Sequence, residues 1–187
     1  MLTRSLREDA ELTPLEPWQA EELAAHIDSI REHLRPWIGM AAVVVDTESA
    51  RAYLQRYADL QAADSGRICG IRLRGELAGG VLFRVFDVPS GNCELGVWLA
   101  PWAQGKGLVT LAVQHMIDWA FDTRGMARVE WRNAVDNAAS AAVAKRLGMT
   151  LEGVLRSEYP VNGGRQDGQV WSLIRADPRP WRSPWAG

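Results

Sequence analysis

The sequence predicts a single α+β domain in which helices flank a mixed, mostly antiparallel sheet of seven strands. Its 187 residues are 47% hydrophobic and 24% charged, an ordinary globular composition with enough apolar surface for one core. The spacing of the apolar residues changes from about 3.6 to 2 near Arg67. Strands and helices can then be assigned in the order β-α-α-β-β-β-α-β-α-β-β, which is an α+β arrangement.

The first third of the chain predicts one strand and two helices. Residues 2–15 alternate loosely between apolar and charged side chains, as expected for an edge strand with a bend. Pro17 opens a helical pattern, and Pro36 ends it. Thr47 is the predicted cap of a second helix.

The middle of the chain predicts an antiparallel meander. Three strands, Ile68–Leu73, Leu77–Val88 and Asn92–Leu99, follow one another with only short turns between them. The remaining elements are predicted to be a helix at 107–123, a strand at Arg128–Trp131, a helix at Asn137–Leu147, and two strands at Leu151–Tyr159 and Gln166–Ile174. The domain is therefore expected to span residues 1–176, followed by an irregular tail rich in Pro and Trp at 177–187.

Charge and cysteine content exclude several classes of protein. The formal net charge of −2 argues against a protein that wraps nucleic acid. The two cysteines, Cys69 and Cys93, lack metal-ligand spacing and suit a reducing compartment. The segment 41–45 is too short to span a bilayer, and the first residues lack an apolar signal region. We therefore expect a cytoplasmic protein without a metal site, a membrane segment or a direct nucleic-acid partner.

The most informative segment joins an apolar strand to a long helix. Gly105 and Gly107 allow the backbone to approach a ligand closely, and the helix that follows offers unpaired N–H groups at the positive end of its dipole. Such a loop suits a pyrophosphate, although a tight turn that only links strand to helix has the same pattern. The candidate contacts are Gln104, Gly105, Lys106, Gly107, Leu108, Val109 and Thr110.

Two other phosphate-binding loops can be excluded. A Walker loop requires Ser or Thr directly after Gly-Lys, and here Lys106 precedes Gly107. A Rossmann fingerprint requires three glycines within a parallel β-α-β unit, whereas the preceding strands form a meander.

A second pattern follows downstream. Asn137 is a natural helix cap, Ser140 lies three residues later, and Gly148 is a natural helix stop. By itself this pattern indicates a well-capped amphipathic helix.

Together the two patterns resemble the coenzyme A motifs of the GCN5-related N-acetyltransferases, the GNAT superfamily. The first motif is Gln/Arg-x-x-Gly-x-Gly/Ala, and its three positions are Gln104, Gly107 and Val109, of which Val109 departs from the small final residue. The second is Asn137-x-x-Ser140, with Leu-Gly-Met and Glu-Gly after the helix. The segment Leu155–Asp167 resembles the RimJ/RimL branch, which acetylates protein N-terminal α-amines.

The resemblance implies a GNAT fold, an acyl-coenzyme A donor and direct attack by an amine. By the same resemblance Glu158 matches a proposed general base, Ser140 is the proton donor to the departing thiolate, and Glu94 lies on the strand where other acetyltransferases carry their base. The backbone at Val97, Trp98 and Leu99 would meet the oxyanion and the pantetheine, and Asn137 and Lys145 would also contact coenzyme A. A homodimer is implied as well.

Two classes of function stay open at this stage. The first is an N-acyltransferase that uses acetyl-CoA, or alternatively succinyl-CoA, to modify a primary amine such as the N-terminus of a ribosomal protein or a small amine. The second is a non-catalytic acyl-CoA sensor on the same fold. The presence of both Ser140 and Glu158 favours the enzyme.

Overall fold

The computed structural model describes residues 3–161 and 164–182. The strands are β1 Arg4–Arg7, β2 Ala10–Pro14, β3 Arg67–Leu73, β4 Glu76–Asp87, β5 Asn92–Leu99, β6 Arg128–Ala134, β7 Thr150–Val161 and β8 Gly164–Ile174. The helices are α1 Ala20–Leu34, α2 Met40–Val43, α3 Thr47–Ala62, α4 Leu108–Asp118 and α5 Ala138–Arg146. Within these residues, all strands join one sheet in the order β1-β2-β3-β4-β5-β6-β8-β7. This is the predicted mixed α+β architecture.

The sheet has eight strands among the described residues, so the predicted number of seven is wrong. The segment expected to be one bent edge strand is a hairpin, in which β1 and β2 pair antiparallel across a turn at Glu8 and Asp9. Asp9 holds that turn, because its carboxylate accepts from Arg7 Nε at 2.6 Å and its carbonyl accepts from the N–H of Arg74 at 2.7 Å. Loose alternation alone does not distinguish a bend from a two-residue turn.

Smaller differences concern the ends of elements. The cap of α3 is Asp46 rather than Thr47, since the Asp46 carboxylate accepts from the N–H of Ser49 at 2.8 Å. The helix predicted to run to residue 123 is α4 followed by a π-helical turn at Trp119–Thr123. The sequence analysis did not predict the short helix α2.

The pairing between β5 and β6 positions the site. It is the sheet's parallel pairing among the described strands, and it joins Asn92–Leu95 to Arg128–Trp131 only. Beyond Leu95, β5 continues along β4, and beyond Trp131, β6 continues along β8. The two strands therefore diverge, and the sheet opens between their carboxyl-terminal halves.

Each face of the sheet buries its own apolar core. Helices α4 and α5 cover one face, where Val129 and Trp131 are buried among their side chains. Helices α1 and α3 cover the other, where Trp98 is buried. The Trp98 ring occupies the space that a Cβ at Gly80 would need, so β4 carries glycine there.

The described part of the tail, residues 177–182, has no helix or strand and lies against α4. Arg179 pairs with Asp118 at 2.6 Å and with Asp122 at 2.9 Å, and Trp181 Nε1 donates to Asp118 Oδ2 at 3.0 Å. Trp185 lies outside the described residues. Among the helices described, none combines the length and the apolarity that crossing a bilayer requires.

A histidine is buried in the second core. The side chain of His26 on α1 accepts a hydrogen bond at its Nε2 from the indole Nε1 of Trp98, at 3.2 Å, and the residue is 8% exposed. Burial lowers the pKa of His26 to about 4. The imidazole is therefore neutral near pH 7, with its proton on Nδ1.

We expect His26 to make stability pH-dependent. The pKa is near 6.5 in the unfolded chain and about 4 in the folded one, so between these values the unfolded chain binds a proton that the folded chain does not. The free energy of unfolding should fall by about 2 kcal/mol from this group between pH 7 and pH 5. Gln at position 26 can accept a hydrogen bond from Trp98 without titrating. The free energy of unfolding of the His26→Gln variant should therefore fall less over the same pH range. Denaturant unfolding of both proteins at the two pH values measures this, and equal losses would contradict it.

Candidate active site

A groove of about 1220 Å³ opens where β5 and β6 diverge. Its walls come from the end of α1 and the segment after it, from α3, from the loop before α4, and from α5. The predicted site residues that line it are Glu94, Val97, Trp98, Leu99, Gln104, Gly105, Gly107, Leu108, Val109, Thr110, Asn137 and Ser140. Sequence positions more than 40 residues apart thus meet in one cavity.

The loop before α4 has the geometry of an anion site. Gly105 and Gly107 have φ values of 72° and 73°, which favour glycine, and the space that a Cβ would enter is open at both. Gly107 is the N-cap of α4, and no side chain caps that end. The first N–H groups of α4 have no intrahelical acceptor and lie at the positive end of the dipole. These features fit the pyrophosphate of an acyl-coenzyme A.

The two polar side chains of this loop differ in their placement. Gln104 lines the groove, and its Nε2 lies 3.0 Å from Nε2 of His33. Lys106 does not line it, because its ammonium donates to the carbonyl of Trp102 at 3.0 Å. The carbonyl of Lys106 accepts from Arg7 at 3.0 Å, which ties the loop to the β1–β2 hairpin.

The open edge of β5 presents backbone donors to the groove. The N–H of Ala100 donates to the carbonyl of Ala78 on β4 at 2.8 Å. Because backbone groups alternate along a strand, the N–H groups of Val97 and Leu99 point to the opposite edge, where β6 has moved away. They are therefore positioned to donate to a carbonyl or an oxyanion in the groove.

Helix α5 holds Ser140 at the groove. The side chain of Asn137 accepts from the N–H of Ser140 at 3.1 Å and so caps the helix. The Ser140 hydroxyl accepts from the indole Nε1 of Trp131 at 2.9 Å. Lys145, on the same helix, is exposed and does not line the groove, whereas its neighbour Arg146 does.

Glu94 is a groove-lining carboxylate. Its side chain is 14% exposed, and it lies 3.2 Å from Arg84 Nη1 and 3.6 Å from Arg132 Nε. Burial raises the pKa of Glu94, and the two guanidinium groups oppose that rise. Glu94 is thus a stronger base than an exposed glutamate.

Glu158 belongs to the same charged cluster. Its Oε1 accepts from Arg132 Nη1 at 3.2 Å, and its side chain is 20% exposed. Its Oε2 is buried without a hydrogen-bond partner among the described residues and lies against Gly168, where a Cβ would overlap it. Glu158 does not itself line the groove, but the next residue, Tyr159, does.

Sequence reasoning missed the residues that join these parts. Arg132 contacts three carboxylates, those of Glu94, Glu130 and Glu158. Its only signal in the sequence was its place one residue beyond the predicted end of a strand. Trp131, Arg84 and Arg146 carried no signal that would separate them from structural residues. Among the described residues, no group of three or more His, Cys, Asp or Glu is placed to hold a metal.

Comparisons with known proteins identify the family. The sequence profile of the acetyltransferase (GNAT) domain matches residues 10–150. YdaF of Bacillus subtilis (strain 168), a protein named for ribosomal N-acetyltransferase activity, is 30% identical over 182 residues, which cover 95% of this chain and 97% of YdaF. The chain belongs to the GNAT acetyltransferases. The expected family and the acetyl-transfer reaction, with acetyl-CoA as donor, are thereby confirmed.

Solved GNAT structures have the same fold. The ribosomal L7/L12 α-N-protein acetyltransferase RimL, in complex with coenzyme A, superposes with a TM-score of 0.89 at 23% identity, covering 94% of this chain and 99% of RimL. The microcin C7 self-immunity acetyltransferase MccE, in complex with acetyl-CoA and AMP, superposes with a TM-score of 0.84 at 27% identity, covering 90% of this chain and 94% of MccE. The predicted GNAT fold is confirmed, with eight strands instead of seven.

The glycine loop of this acetyltransferase can be tested by charge. Asp and Asn both tolerate the left-handed backbone of Gly107 and have nearly the same size, so they differ in charge alone. Gly107→Asp should bind coenzyme A about 2 kcal/mol more weakly than Gly107→Asn, because a carboxylate would repel the pyrophosphate at the helix terminus. Calorimetry on the two folded variants measures the difference. Equal affinities would show that the pyrophosphate binds elsewhere.

Proposed function

We propose that this enzyme transfers the acetyl group of acetyl-CoA to the N-terminal α-amine of a protein, by direct attack within a ternary complex. The observation that carries the proposal is the groove at the β5–β6 divergence. The carboxylate of Glu94 and the N–H groups of Val97 and Leu99 reach it from β5, and the hydroxyl of Ser140 reaches it from α5. The relative named for ribosomal N-acetyltransferase activity supports a ribosomal protein as the acceptor.

Binding of the donor is assigned to the loop before α4 and to the open edge of β5. The N–H groups at the start of α4 would hold the pyrophosphate, and those of Val97 and Leu99 would hold the pantetheine arm and the thioester oxygen. An N–H that donates to this oxygen stabilises the negative charge that develops on it when the amine attacks.

Removal of the amine proton is assigned to Glu158. Support comes from the RimJ/RimL-like segment in which it lies, and from its ion pair at 3.2 Å with Arg132, whose side chain lines the groove. Glu94 would contact the incoming ammonium and hold Arg132, which pairs with both carboxylates. Ser140 would donate the proton that the departing thiolate takes up.

We also propose that the acetyltransferase domain spans residues 1–176 and that the enzyme is a cytoplasmic homodimer. For the domain, support comes from its described strands and helices, which run from Arg4 to Ile174. For the location, support comes from Cys69 and Cys93, which are free and buried, as suits a reducing compartment. For the dimer, support comes from exposed apolar side chains on β7, which is at the edge of the sheet: Leu151, Val154 and Leu155.

Three variants should separate the candidate bases. Glu158→Gln should lower kcat by about 100-fold or more and leave acetyl-CoA binding intact, as expected for a lost general base. Glu94→Gln should lower kcat by a smaller factor than Glu158→Gln does. Glu130→Gln is the matched control, because it removes a carboxylate from the same guanidinium, 3.1 Å away, and Glu130 has no assigned part in the proton transfer. Steady-state kinetics give the ranking, and a larger loss from Glu94→Gln would place the base on β5.

An acceptor panel tests the reaction itself. Thiol release should be fastest with acetyl-CoA and a peptide that copies a ribosomal-protein N-terminus, and slower with succinyl-CoA or with small polyamines. The kinetics should be sequential, and intact-mass spectrometry should find no acetyl adduct on the enzyme, because attack is direct. Preference for a small amine would reassign the acceptor, and acetyl-CoA binding without turnover on any amine would leave only a binding module.

A further inference from the structure

Trp131 lies beside Ser140, the serine that we assign to protonate the thiolate. We infer that Trp131 is a positioning residue: its indole N–H aims the Ser140 hydroxyl into the groove and stabilises the serine oxygen while its proton moves to sulfur. This inference rests on the proposed function and deepens it, since it assigns the part that makes Ser140 a proton donor.

The contact between the two side chains is direct and shielded. Trp131 Nε1 lies 2.9 Å from Ser140 Oγ, and Trp131 is 2% exposed. An indole N–H can only donate, so in this bond the serine oxygen must be the acceptor. The hydroxyl hydrogen is therefore not used by Trp131.

That hydrogen has no other acceptor among the described residues. The N–H of Ser140 donates to Asn137 at 3.1 Å, and its hydroxyl takes part in one hydrogen bond among the described residues, as the acceptor from Trp131. Serine and threonine in a helix often donate to a carbonyl of the preceding turn, but Ser140 makes no such bond. Since Ser140 lines the groove, the hydroxyl hydrogen is free to point at a ligand there.

Both partners are held by the fold. Trp131 is the last residue of β6 that pairs with β5, opposite Leu95, and it also pairs with Trp171 on β8. Ser140 is held through the Asn137 cap at the start of α5. The hydrogen bond therefore joins the point where the sheet opens to the helix that faces the opening.

The chemical consequence follows from the charge on the serine oxygen. The amine nitrogen bonds to the carbonyl carbon, the C–S bond breaks, and its electron pair goes to sulfur, which takes the hydroxyl proton of Ser140. The oxygen becomes negative as the proton leaves, and an indole N–H already directed at it stabilises that charge. Solvent returns a proton to Ser140, and Glu158 releases to solvent the proton it took from the amine. Counted from the neutral amine, one proton thus moves from nitrogen to sulfur overall. An acceptor that arrives as an ammonium first loses one further proton to solvent.

Trp131→Phe removes the donor and keeps an aromatic ring. We expect kcat to fall about 3- to 10-fold, as for the loss of one hydrogen bond, and KM for acetyl-CoA to stay within about twofold. In a Ser140→Ala background the same substitution should cost nothing further, because the oxygen that Trp131 serves is gone. Benzothienylalanine at position 131 replaces the N–H by sulfur at constant shape, and it provides the same measurement if Phe leaves a damaging cavity.

Trp171→Phe is the matched control. Trp171 is also buried, lies opposite Trp131 on β8, and donates to Asn133 at 3.0 Å rather than to Ser140. A loss through packing should appear with this variant too, and by the same factor whether or not Ser140 is present. The positioning role predicts an effect at Trp131 that disappears with Ser140.

These measurements distinguish a failure of the role of Trp131 from a failure of the proposed function. If Ser140→Ala leaves kcat unchanged, the assignment of Ser140 as proton donor fails, and the role of Trp131 fails with it. If Ser140→Ala slows turnover but Trp131→Phe and the sulfur analogue do not, only the inference about Trp131 is overturned. Equal losses from Trp131→Phe with and without Ser140 would likewise reduce Trp131 to a packing residue.

Discussion

The pairing of β5 with β6 is the constraint on which the site depends. The two strands share only four residue pairs, because each has a second partner that it follows further, β4 for one and β8 for the other. The opening costs backbone hydrogen bonds at two strand edges, and the N–H groups of Val97 and Leu99 are among those left without a strand partner. A ligand that added its own amide groups there would complete the sheet, so the donor binding that we propose would also stabilise the sheet.

A cluster of paired charges lies at the groove around Arg132. Three carboxylates surround the guanidinium of Arg132, and a second guanidinium, that of Arg84, reaches Glu94. Partly buried charges are tolerated where they are paired, and removal of Arg132 would leave the Glu158 carboxylate without its cation. If an acceptor ammonium enters this region, as we propose, it meets carboxylates that the fold already holds in place through Arg84 and Arg132.

Much of the fold could be predicted from the sequence, because its signals are local. The glycine loop and the Asn137 cap each depend on residues within about seven positions of one another, and the meander depends on short turns between strands that follow one another along the chain. The cluster around Arg132 could not be predicted, since its members come from β4, β5, β6 and β7 and meet only through strand register. The same is true of the bond between Trp131 and Ser140. The hairpin was missed because its turn, at Glu8 and Asp9, lacks the glycine that usually marks one.

The fit of Trp98 over Gly80 has a consequence for how this family can vary. The indole fills the position of the missing side chain on the neighbouring strand, so neither residue can change alone without a clash or a void. A relative with a residue larger than glycine at position 80 should have a residue smaller than tryptophan at position 98. The two positions should therefore covary among relatives. Because Trp98 also donates to His26, the covariation should extend to position 26 on α1. The residue at one position of the helix beside the groove thus depends on whether β4 carries a glycine.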